Sequence, residues 1–353
     1  MYEVAAPPAL GDNRGRMSVA PGPRNLITDV AGIRVGNAED ARVRTGVTVV
    51  LPEGSVVAAV DVRGGAPGTR ETDALDPTCL VDTADAVVLS GGSAVGLEAG
   101  SAAMTWLAAR GLGYPIGDLR IPIVPAAILF DLLNGGDKAW GETPPYAGLA
   151  RAACAAAAAD FALGNAGAGF GAKAGALKGG LGSVSMLTAD GLQVGALVAV
   201  NAVGDTVMPG ERCFWAWPFE RQNELGGQRP PQGGVPAGDV PIASPFARVG
   251  ANTTIGVVAT NAILAKAEAQ RVAIMAQDGF ARAIRPAHTP FDGDTIFVLA
   301  TGRQGLPEPR NAALSLIGAL AADCVARAVA RGVYAAESLG PYVGYRDWIS
   351  RPA

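Results

Sequence analysis

The stretch that decides the fold is residues 250–261, Gly-Ala-Asn-Thr-Thr-Ile-Gly-Val-Val-Ala-Thr-Asn. Thr253 and Thr254 open a run of small and β-branched residues, which predicts a short buried strand. A Pro- and Gly-rich segment precedes this run and a helical pattern follows it. The stretch therefore predicts a rigid strand with a polar residue at its start.

Thr253 is a candidate nucleophile. If the Asn252–Thr253 bond is cut, the Thr253 hydroxyl lies beside its own α-amine, an arrangement that activates a hydroxyl for attack. The pKa of a free α-amine is about 7.7–8.0, so the amine can accept the hydroxyl proton near neutral pH. A threonine pair at a strand start is also common for structural reasons, because threonine suits pleated surfaces. The stretch alone leaves both interpretations open.

Composition limits the possible functions. The 353 residues are 49% hydrophobic and 17% charged, which is enough for a sizeable core. The net charge of −4, without a basic block, argues against nucleic acid as a partner. The N-terminus lacks a signal-peptide pattern, and the apolar runs are interrupted before they reach membrane-span length. The sequence predicts a cytoplasmic protein without membrane contact.

Cysteine and histidine usage argues against a metal. The four cysteines have no C-x-x-C spacing and are expected to be small buried residues rather than disulfides or zinc ligands. The sequence has one histidine, His288, which is too few ligands for a His-based metal site. A Ser-His-Asp triad is a poor hypothesis, because His288 would have to be its base. We expect no metal and no organic cofactor.

The remaining pattern predicts strands and helices in layers around one core that includes both sides of residue 252. Residues 46–51 and 56–62 form a hairpin pattern around Pro52-Glu53-Gly54-Ser55. A last helix, roughly 311–331, is predicted to end at Gly332. Residues 1–24 are expected to be a surface arm, and residues 209–249 a long loop with an aromatic cluster.

Several polar residues could serve one reaction with Thr253. Asn201, at a predicted strand end, can donate an N–H to a developing oxyanion. Asp292 and Asp294 could orient the new α-amine, hold a cation or keep a lysine charged. Lys178 could be that lysine, or could help to deprotonate Thr253 if burial lowers its pKa. Each residue also has a plainer role, as a turn residue, an acidic loop or a surface lysine.

Two further segments are candidates for substrate contact. Gly91, Gly92 and Ser93 lie between a predicted strand and a helix, an arrangement that presents backbone N–H groups to an anion or oxyanion. Close helix–sheet packing explains these glycines equally well. Trp215 belongs to the aromatic cluster and could line an apolar, narrow pocket.

Taken together, these motifs resemble the DmpA-like family of self-cleaving N-terminal-nucleophile aminopeptidases and amidases, and within it the nylon-oligomer (aminohexanoate oligomer) hydrolase branch. The motifs lie in the family's order from about residue 25 to 300. They are Thr28-Asp29-Val30-Ala31-Gly32-Ile33-Arg34-Val35-Gly36, Arg63-Gly64-Gly65, Ser90-Gly91-Gly92-Ser93 with Gly96-Leu97-Glu98-Ala99-Gly100, Gly167-Ala168-Gly169, Lys178-Gly179-Gly180-Leu181-Gly182, Val200-Asn201, Asn252-Thr253-Thr254-Ile255 and Asp292-Gly293-Asp294-Thr295.

The resemblance implies an α/β fold, a four-layer α-β-β-α sandwich with the layering of N-terminal-nucleophile hydrolases and the connectivity of DmpA and ornithine acetyltransferases. It implies one catalytic domain over 1–353, cleaved into an α chain of 1–252 and a β chain of 253–353, which remain together in a homo-oligomer, with a tetramer favoured. It implies Thr253 as nucleophile, Asn201 in the oxyanion hole, and Asp292 and Asp294 as supporting acids.

Two departures favour the nylon-oligomer branch. Many family members have serine where this chain has Thr253, and Ser-x-Glu where it has Asp292-Gly293-Asp294. The lysine is assigned to Lys178, which lies in the Lys178-Gly179-Gly180 motif. Lys173 is the alternative, because in the nylon-oligomer enzymes the lysine follows the glycine-rich segment at a different spacing.

The resulting hypothesis is a self-processing threonine hydrolase that cleaves amide bonds of small peptides or amino-acid amides and oligomers through an acyl-enzyme. The alternatives are an acyltransferase of related architecture that transfers the acyl group to an amine, and an uncleaved binding protein in which Thr253 is only a strand residue.

Overall fold

The computed structural model of the protein describes residues 18–230 and 252–351. The strands are β1 (Val19–Ala20), β2 (Ile33–Asp40), β3 (Thr45–Pro52), β4 (Val56–Val62), β5 (Thr69–Arg70), β6 (Thr83–Ala84), β7 (Val87–Ser90), β8 (Tyr114–Ile116), β9 (Leu119–Ile121), β10 (Ala126–Ile128), β11 (Lys173–Ala174), β12 (Leu177–Lys178), β13 (Gly180–Thr188), β14 (Gln193–Asn201), β15 (Thr253–Ala262) and β16 (Thr295–Gln304). The helices are α1 (Glu98–Ala108), α2 (Tyr146–Ala155), α3 (Lys266–Ala276), α4 (Asp278–Ala283), α5 (Arg310–Ala335) and α6 (Tyr345–Ile349).

Two large sheets organise the described residues. One has seven strands in the order β1-β13-β14-β15-β16-β4-β6, and the other has five in the order β2-β3-β7-β10-β5. At the centre of the seven-stranded sheet, β15 pairs antiparallel with β14 and parallel with β16. Strands from both sides of residue 252 therefore lie in one sheet, and they contribute to one core, as predicted.

The sheets and helices form four layers. Helices α3, α4 and α5 pack on the outer face of the seven-stranded sheet around one apolar cluster. Helices α1 and α2 cover the outer face of the five-stranded sheet around another. A third cluster lies between the two sheets. The predicted α-β-β-α sandwich is confirmed.

The alternation of side chains along β15 decides to which side of the sheet the polar residues at its start project. Ile255 and Val257 belong to the cluster between the sheets, whereas Val258 belongs to the cluster against the helices. Because side chains alternate along a strand, Thr253 projects to the same side as Ile255. By the same argument Asn201, at the end of β14, projects to the side of Ala199, between the sheets. Both polar side chains thus lie at the edge of the inter-sheet core.

Two local predictions are wrong. The runs at 46–51 and 56–62 do not form a hairpin, because β3 lies in the five-stranded sheet and β4 in the seven-stranded sheet. Residues 53–55 carry the chain between sheets with the same turn residues that a hairpin would use. Gly332 does not end α5, which continues to Ala335. A Cβ at Gly332 would lie 2.8 Å from the Gly182 nitrogen, so this glycine allows the helix to approach β13 closely.

Helix α5 is long and apolar enough for a membrane span, but 67% of its most apolar window is buried. It packs on β13 and β14, and its Arg327 is fully buried against Glu224. These features are typical of a core helix. Cys154, Cys213 and Cys324 are buried as predicted, whereas Cys79 is exposed. Parts of the predicted arm (residues 1–17) and loop (231–249) lie outside the described residues.

Candidate active site

Thr253 is the first residue of β15 and is 2% exposed. Its Oγ1 donates a hydrogen bond to the carbonyl oxygen of Asn252. The backbone of Gly293 passes so close that a Cβ there would lie 2.8 Å from Thr253 Oγ1. The hydroxyl is therefore held against the peptide group that precedes it, in a confined space between two strand ends.

Asn201 lies directly opposite Thr253. The two residues are antiparallel partners at the end of the β14–β15 ladder, so their side chains share one face of the sheet. The Asn201 Oδ1 accepts from the Lys173 backbone N–H at 3.0 Å, and its Nδ2 donates to the Phe130 carbonyl at 3.1 Å. An amide NH₂ has two N–H donors, so one remains for a further partner. The asparagine is fixed at both ends with one donor to spare.

Asp294 links the start of β15 to His288, the only histidine of the sequence. One oxygen of its carboxylate accepts from the Thr254 backbone N–H at 2.8 Å. The other accepts from the His288 backbone N–H at 3.0 Å and lies 2.9 Å from His288 Nδ1. Asp294 is 2% exposed, so these contacts fix its position in the protein interior.

Asp292 is held separately, although it is only two residues away. It accepts from the Val203 N–H at 3.2 Å and from the Thr289 N–H and hydroxyl at 3.0 and 2.6 Å. Burial, and next the neighbouring Asp294 carboxylate, raise the pKa of Asp292. An acid pair with this environment favours a nearby positive charge, because two buried carboxylates otherwise repel each other.

The Arg63-Gly64-Gly65 segment supports the acid loop. The N–H groups of Arg63 and Gly64 donate to the Asp294 carbonyl at 2.9 and 3.2 Å. A Cβ on Gly64 would lie 2.3 Å from the Asp292 carbonyl oxygen, so a side chain here would displace the loop. The glycine segment thus serves close backbone packing next to the site.

The Gly91-Gly92-Ser93 turn reaches the site through Asp131. The Gly92 N–H donates to Asp131 at 2.8 Å, and the Thr45 hydroxyl donates to the other carboxylate oxygen at 2.6 Å. Burial raises the pKa of this carboxyl. Because the preceding carbonyl, that of Phe130, accepts from Asn201, the turn contributes to the position of the asparagine.

The turn also has demanding backbone geometry. Gly92 has a φ of +87°, and a Cβ there would overlap the ring of Tyr146. The Gly91 N–H donates to the Gly46 carbonyl, and the Ser93 N–H donates to the Leu129 carbonyl. All three N–H groups of the turn are therefore bonded within the protein, which does not favour the predicted role as free donors to a substrate.

Lys178 and Lys173 are paired across the short β11–β12 ladder. Lys178 is fully buried, and its Nζ donates to the carbonyls of Gly169 and Gly179 at 3.0 and 2.7 Å. Burial lowers its pKa from 10.5 to about 7. Lys173 is half-buried and contacts the site through its backbone N–H. Both lysines adjoin the site, and the assignment to Lys178 stays a prediction.

Trp215 is half-buried on the segment that follows β14, where the guanidinium of Arg285 lies 4.8 Å from its ring centroid. Its backbone N–H donates to the Thr206 carbonyl. Among the described residues its indole N–H is buried without a hydrogen-bond partner. No described hydrogen bond joins it to Thr253 or Asn201, and its substrate role stays a prediction.

Sequence reasoning missed His288, Asp131 and the Phe130 carbonyl. His288 could have been suspected from its place four residues before Asp292 in the same loop. Asp131 and Phe130 carry no local signal, because they reach the site only through the pairing of β10 with β7.

The lysine environment gives a testable pH dependence. In the unfolded chain Lys178 stays protonated to about pH 10, whereas in the folded chain it loses its proton near pH 7. The unfolded state binds more protons in this window, so stability rises with pH there by up to about 1.4 kcal/mol per unit. We expect Lys178→Met to remove this rise.

The experiment compares urea unfolding at pH 6 to 9 for chains with and without Lys178→Met, both carrying Thr253→Ala so that the predicted cleavage before residue 253 cannot affect the comparison. The free energy of unfolding of the Lys178→Met chain should exceed that of its parent most at pH 6. The excess should become progressively smaller toward pH 9. A stability difference that does not vary with pH would contradict a buried lysine that titrates near neutrality.

The fold is shared with solved structures of aminopeptidases. A Burkholderia sp. β-aminopeptidase superposes with a TM-score of 0.66 at 26% identity, covering 93% of each chain. An L-aminopeptidase D-Ala-esterase/amidase from Ochrobactrum anthropi, described as a new variant among the Ntn-hydrolase fold, superposes with a TM-score of 0.66 at 22% identity, covering 92% of this chain and 90% of that one. The layered fold is therefore that of the Ntn-hydrolase class.

The chain belongs to peptidase family S58, whose model matches residues 25–346. A Mycobacterium bovis protein named as an uncharacterized aminopeptidase is 45% identical over 342 residues, covering 92% of this chain and 97% of that protein. A 6-aminohexanoate-oligomer endohydrolase from Kocuria sp. is 29% identical, covering 86% and 84%. The family and these relatives support peptidase or amidase activity, and the predicted resemblance is confirmed.

Proposed function

We propose that this protein cleaves its own Asn252–Thr253 bond and then uses Thr253 as the nucleophile of an aminopeptidase or amidase. The observation that carries the proposal is the contact of Thr253 Oγ1 with the Asn252 carbonyl, at a buried strand end opposite Asn201. A hydroxyl in this position lies next to the one peptide carbon whose attack would create a new N-terminal threonine.

In the proposed maturation, Thr253 Oγ1 attacks the Asn252 carbonyl carbon and its proton passes to the departing Thr253 nitrogen. The C–N bond breaks and an ester joins Asn252 to the Thr253 oxygen. Water then hydrolyses the ester, giving an Asn252 carboxylate and a Thr253 with a free hydroxyl and a free α-amine. Atoms and protons balance without any further reactant.

The same groups serve the proposed turnover. The free α-amine accepts the hydroxyl proton as Thr253 attacks a substrate amide, and the protonated amine returns a proton to the leaving amine. The spare N–H of Asn201 stabilises the oxyanion. Water then hydrolyses the acyl-enzyme. The extra methyl of threonine restricts χ1 and pre-aligns the oxygen.

The acid pair gives the new amine a favourable environment. Asp294 holds the backbone of Thr254, one residue from the new N-terminus, and burial together with Asp294 raises the pKa of Asp292. The ammonium that forms when the Thr253 amine accepts the hydroxyl proton supplies the positive charge that this pair favours. The α-amine is therefore held close to the carboxylates and to its own hydroxyl.

The proposed substrates are short peptides, amino-acid amides and ω-amino-acid oligomers. The named aminopeptidase and 6-aminohexanoate-oligomer relatives support this range. The test is intact mass over time, with fragments of 1–252 and 253–353 expected, followed by a substrate panel. The panel pairs α-, β- and ω-amino-acid amides with their N-acetylated forms, with and without an added amine acceptor. A stable uncleaved chain without amide hydrolysis contradicts the proposal, and dominant transfer to the amine favours the acyltransferase alternative.

His288 should affect the proposed reaction through Asp294. His288→Ala removes the Nδ1 contact and is expected to lower kcat/KM about 10–100-fold, the cost of a hydrogen bond to a charged group. His288→Asn places an amide donor near the same position and also tolerates the φ of +56°. We therefore expect the asparagine variant to retain most of the activity. An alanine variant equal to wild type would exclude this role.

A further inference from the structure

The β8–β9 hairpin stands out because every residue from Tyr114 to Ile121 is exposed. It is a two-stranded sheet of its own, inserted between α1 and β10. Two isolated strands are at best marginally stable in water, and a hairpin normally needs an apolar face packed on something else. Here the described residues leave that face uncovered.

The register gathers the apolar residues on one side of this ribbon. Tyr114 pairs with Ile121 and Ile116 pairs with Leu119, while the pair between them joins Pro115 to Arg120. Residues directly opposite each other share a face, and successive pairs alternate. The first two pairs therefore form one apolar face, and Pro115 and Arg120 lie on the other.

The exposure of this face is unusual for the protein. The exposed fractions are 37% for Tyr114, 57% for Ile116, 64% for Leu119 and 42% for Ile121, and the adjoining Leu112 is 44% exposed. Single exposed apolar residues need no explanation, but a contiguous patch marks an interaction site. We call these five residues the hairpin patch.

We propose that the hairpin patch is a homo-oligomer interface that docks on the same patch of a second copy of this chain. The patch offers roughly 500 Å² of apolar surface, so two copies in contact would bury about 1,000 Å², the lower limit of a specific interface. A two-fold arrangement places the patch of one copy on the patch of the other, so no other complementary surface is required.

The charges around the patch favour a second copy over other partners. Residues 111–122 contain one acid, Asp118, and one base, Arg120, so this segment carries no net charge that would repel a second copy. A surface for anionic lipid or nucleic acid would carry clustered lysine or arginine. An apolar, nearly neutral ribbon best matches another apolar, nearly neutral ribbon.

The first test measures mass by sedimentation velocity over a range of protein concentrations. Wild type is expected to be oligomeric, and Ile116→Asp/Leu119→Asp is expected to weaken association at least 100-fold, because it would bury unpaired charge. Leu80→Asp is the matched control, since Leu80 is 87% exposed outside the patch, and it should leave the mass unchanged. Circular dichroism and self-cleavage check that each variant is folded.

Three outcomes would overturn the proposal. These are a monomeric wild type, an oligomer that survives the double substitution in a folded variant, and wild-type binding to phosphatidylglycerol vesicles, without self-association, that the substitution abolishes.

A second test measures crosslinking between copies and leaves the proposed interface intact. Ile116→Cys, in a Cys79→Ser background that removes the exposed native thiol, should form a disulfide between copies under mild oxidation. The Cys79→Ser parent should not form one. Leu119→Cys is tested separately in the same background. If the protein is oligomeric and neither cysteine variant forms a crosslink, the interface between copies lies elsewhere.

Discussion

Thr253→Ala is expected to remain a single 353-residue chain and to lose amide hydrolysis. Removing the hydroxyl removes both the group that contacts the Asn252 carbonyl and the proposed nucleophile for substrate. Loss of the proposed nucleophile should lower kcat on the order of 10⁴–10⁶-fold, the size of effect known for serine hydrolases with a covalent intermediate. Intact mass and hydrolysis of an amino-acid amide measure the two effects.

Two variants serve as controls for this result. Thr253→Ser keeps a hydroxyl and should still be cleaved and active. Thr254→Ala removes the same atoms one residue later, from a buried side chain whose hydroxyl has no partner among the described residues. It should also be cleaved and active, because residue 254 projects to the opposite face of the strand. Cleavage of Thr253→Ala between residues 252 and 253 would contradict the proposed nucleophile.

Patterns within single strands predicted the part of the fold that positions Thr253. The small and β-branched run of 253–261 predicted a buried strand, and β15 is buried throughout. The prediction that Asn201 ends a strand was also right. These features depend on local alternation and residue type, which a sequence shows directly. The order of layers came instead from the family resemblance.

The predictions that failed depended on the partner of a segment rather than on the segment itself. A turn between two apolar runs is compatible with a hairpin or with passage between sheets, and only the pairing of β3 with β7 decides. Gly332 has the chemistry of a helix end, but its close approach to Gly182 is a property of packing. Asp131 supports Asn201 through contacts that span the chain.

Asn201 provides the sharpest test of oxyanion stabilisation, because its two ends have different partners. Asn201→Ala removes the spare N–H and is expected to lower kcat about 10²–10³-fold with little change in KM. Asn201→Asp keeps an acceptor for the Lys173 N–H at the Oδ1 position but replaces the donor with a carboxylate oxygen.

The aspartate variant should therefore be slower than the alanine variant, because its negative charge would lie where the oxyanion forms. Asn201→Asp also removes the donor to the Phe130 carbonyl, so urea unfolding is used to check that both variants are folded before their rates are compared. Self-cleavage should slow in the same order, because attack on the Asn252 carbonyl creates an oxyanion opposite the same side chain. If aspartate at position 201 supports faster turnover than alanine, the spare N–H of Asn201 does not stabilise the transition state.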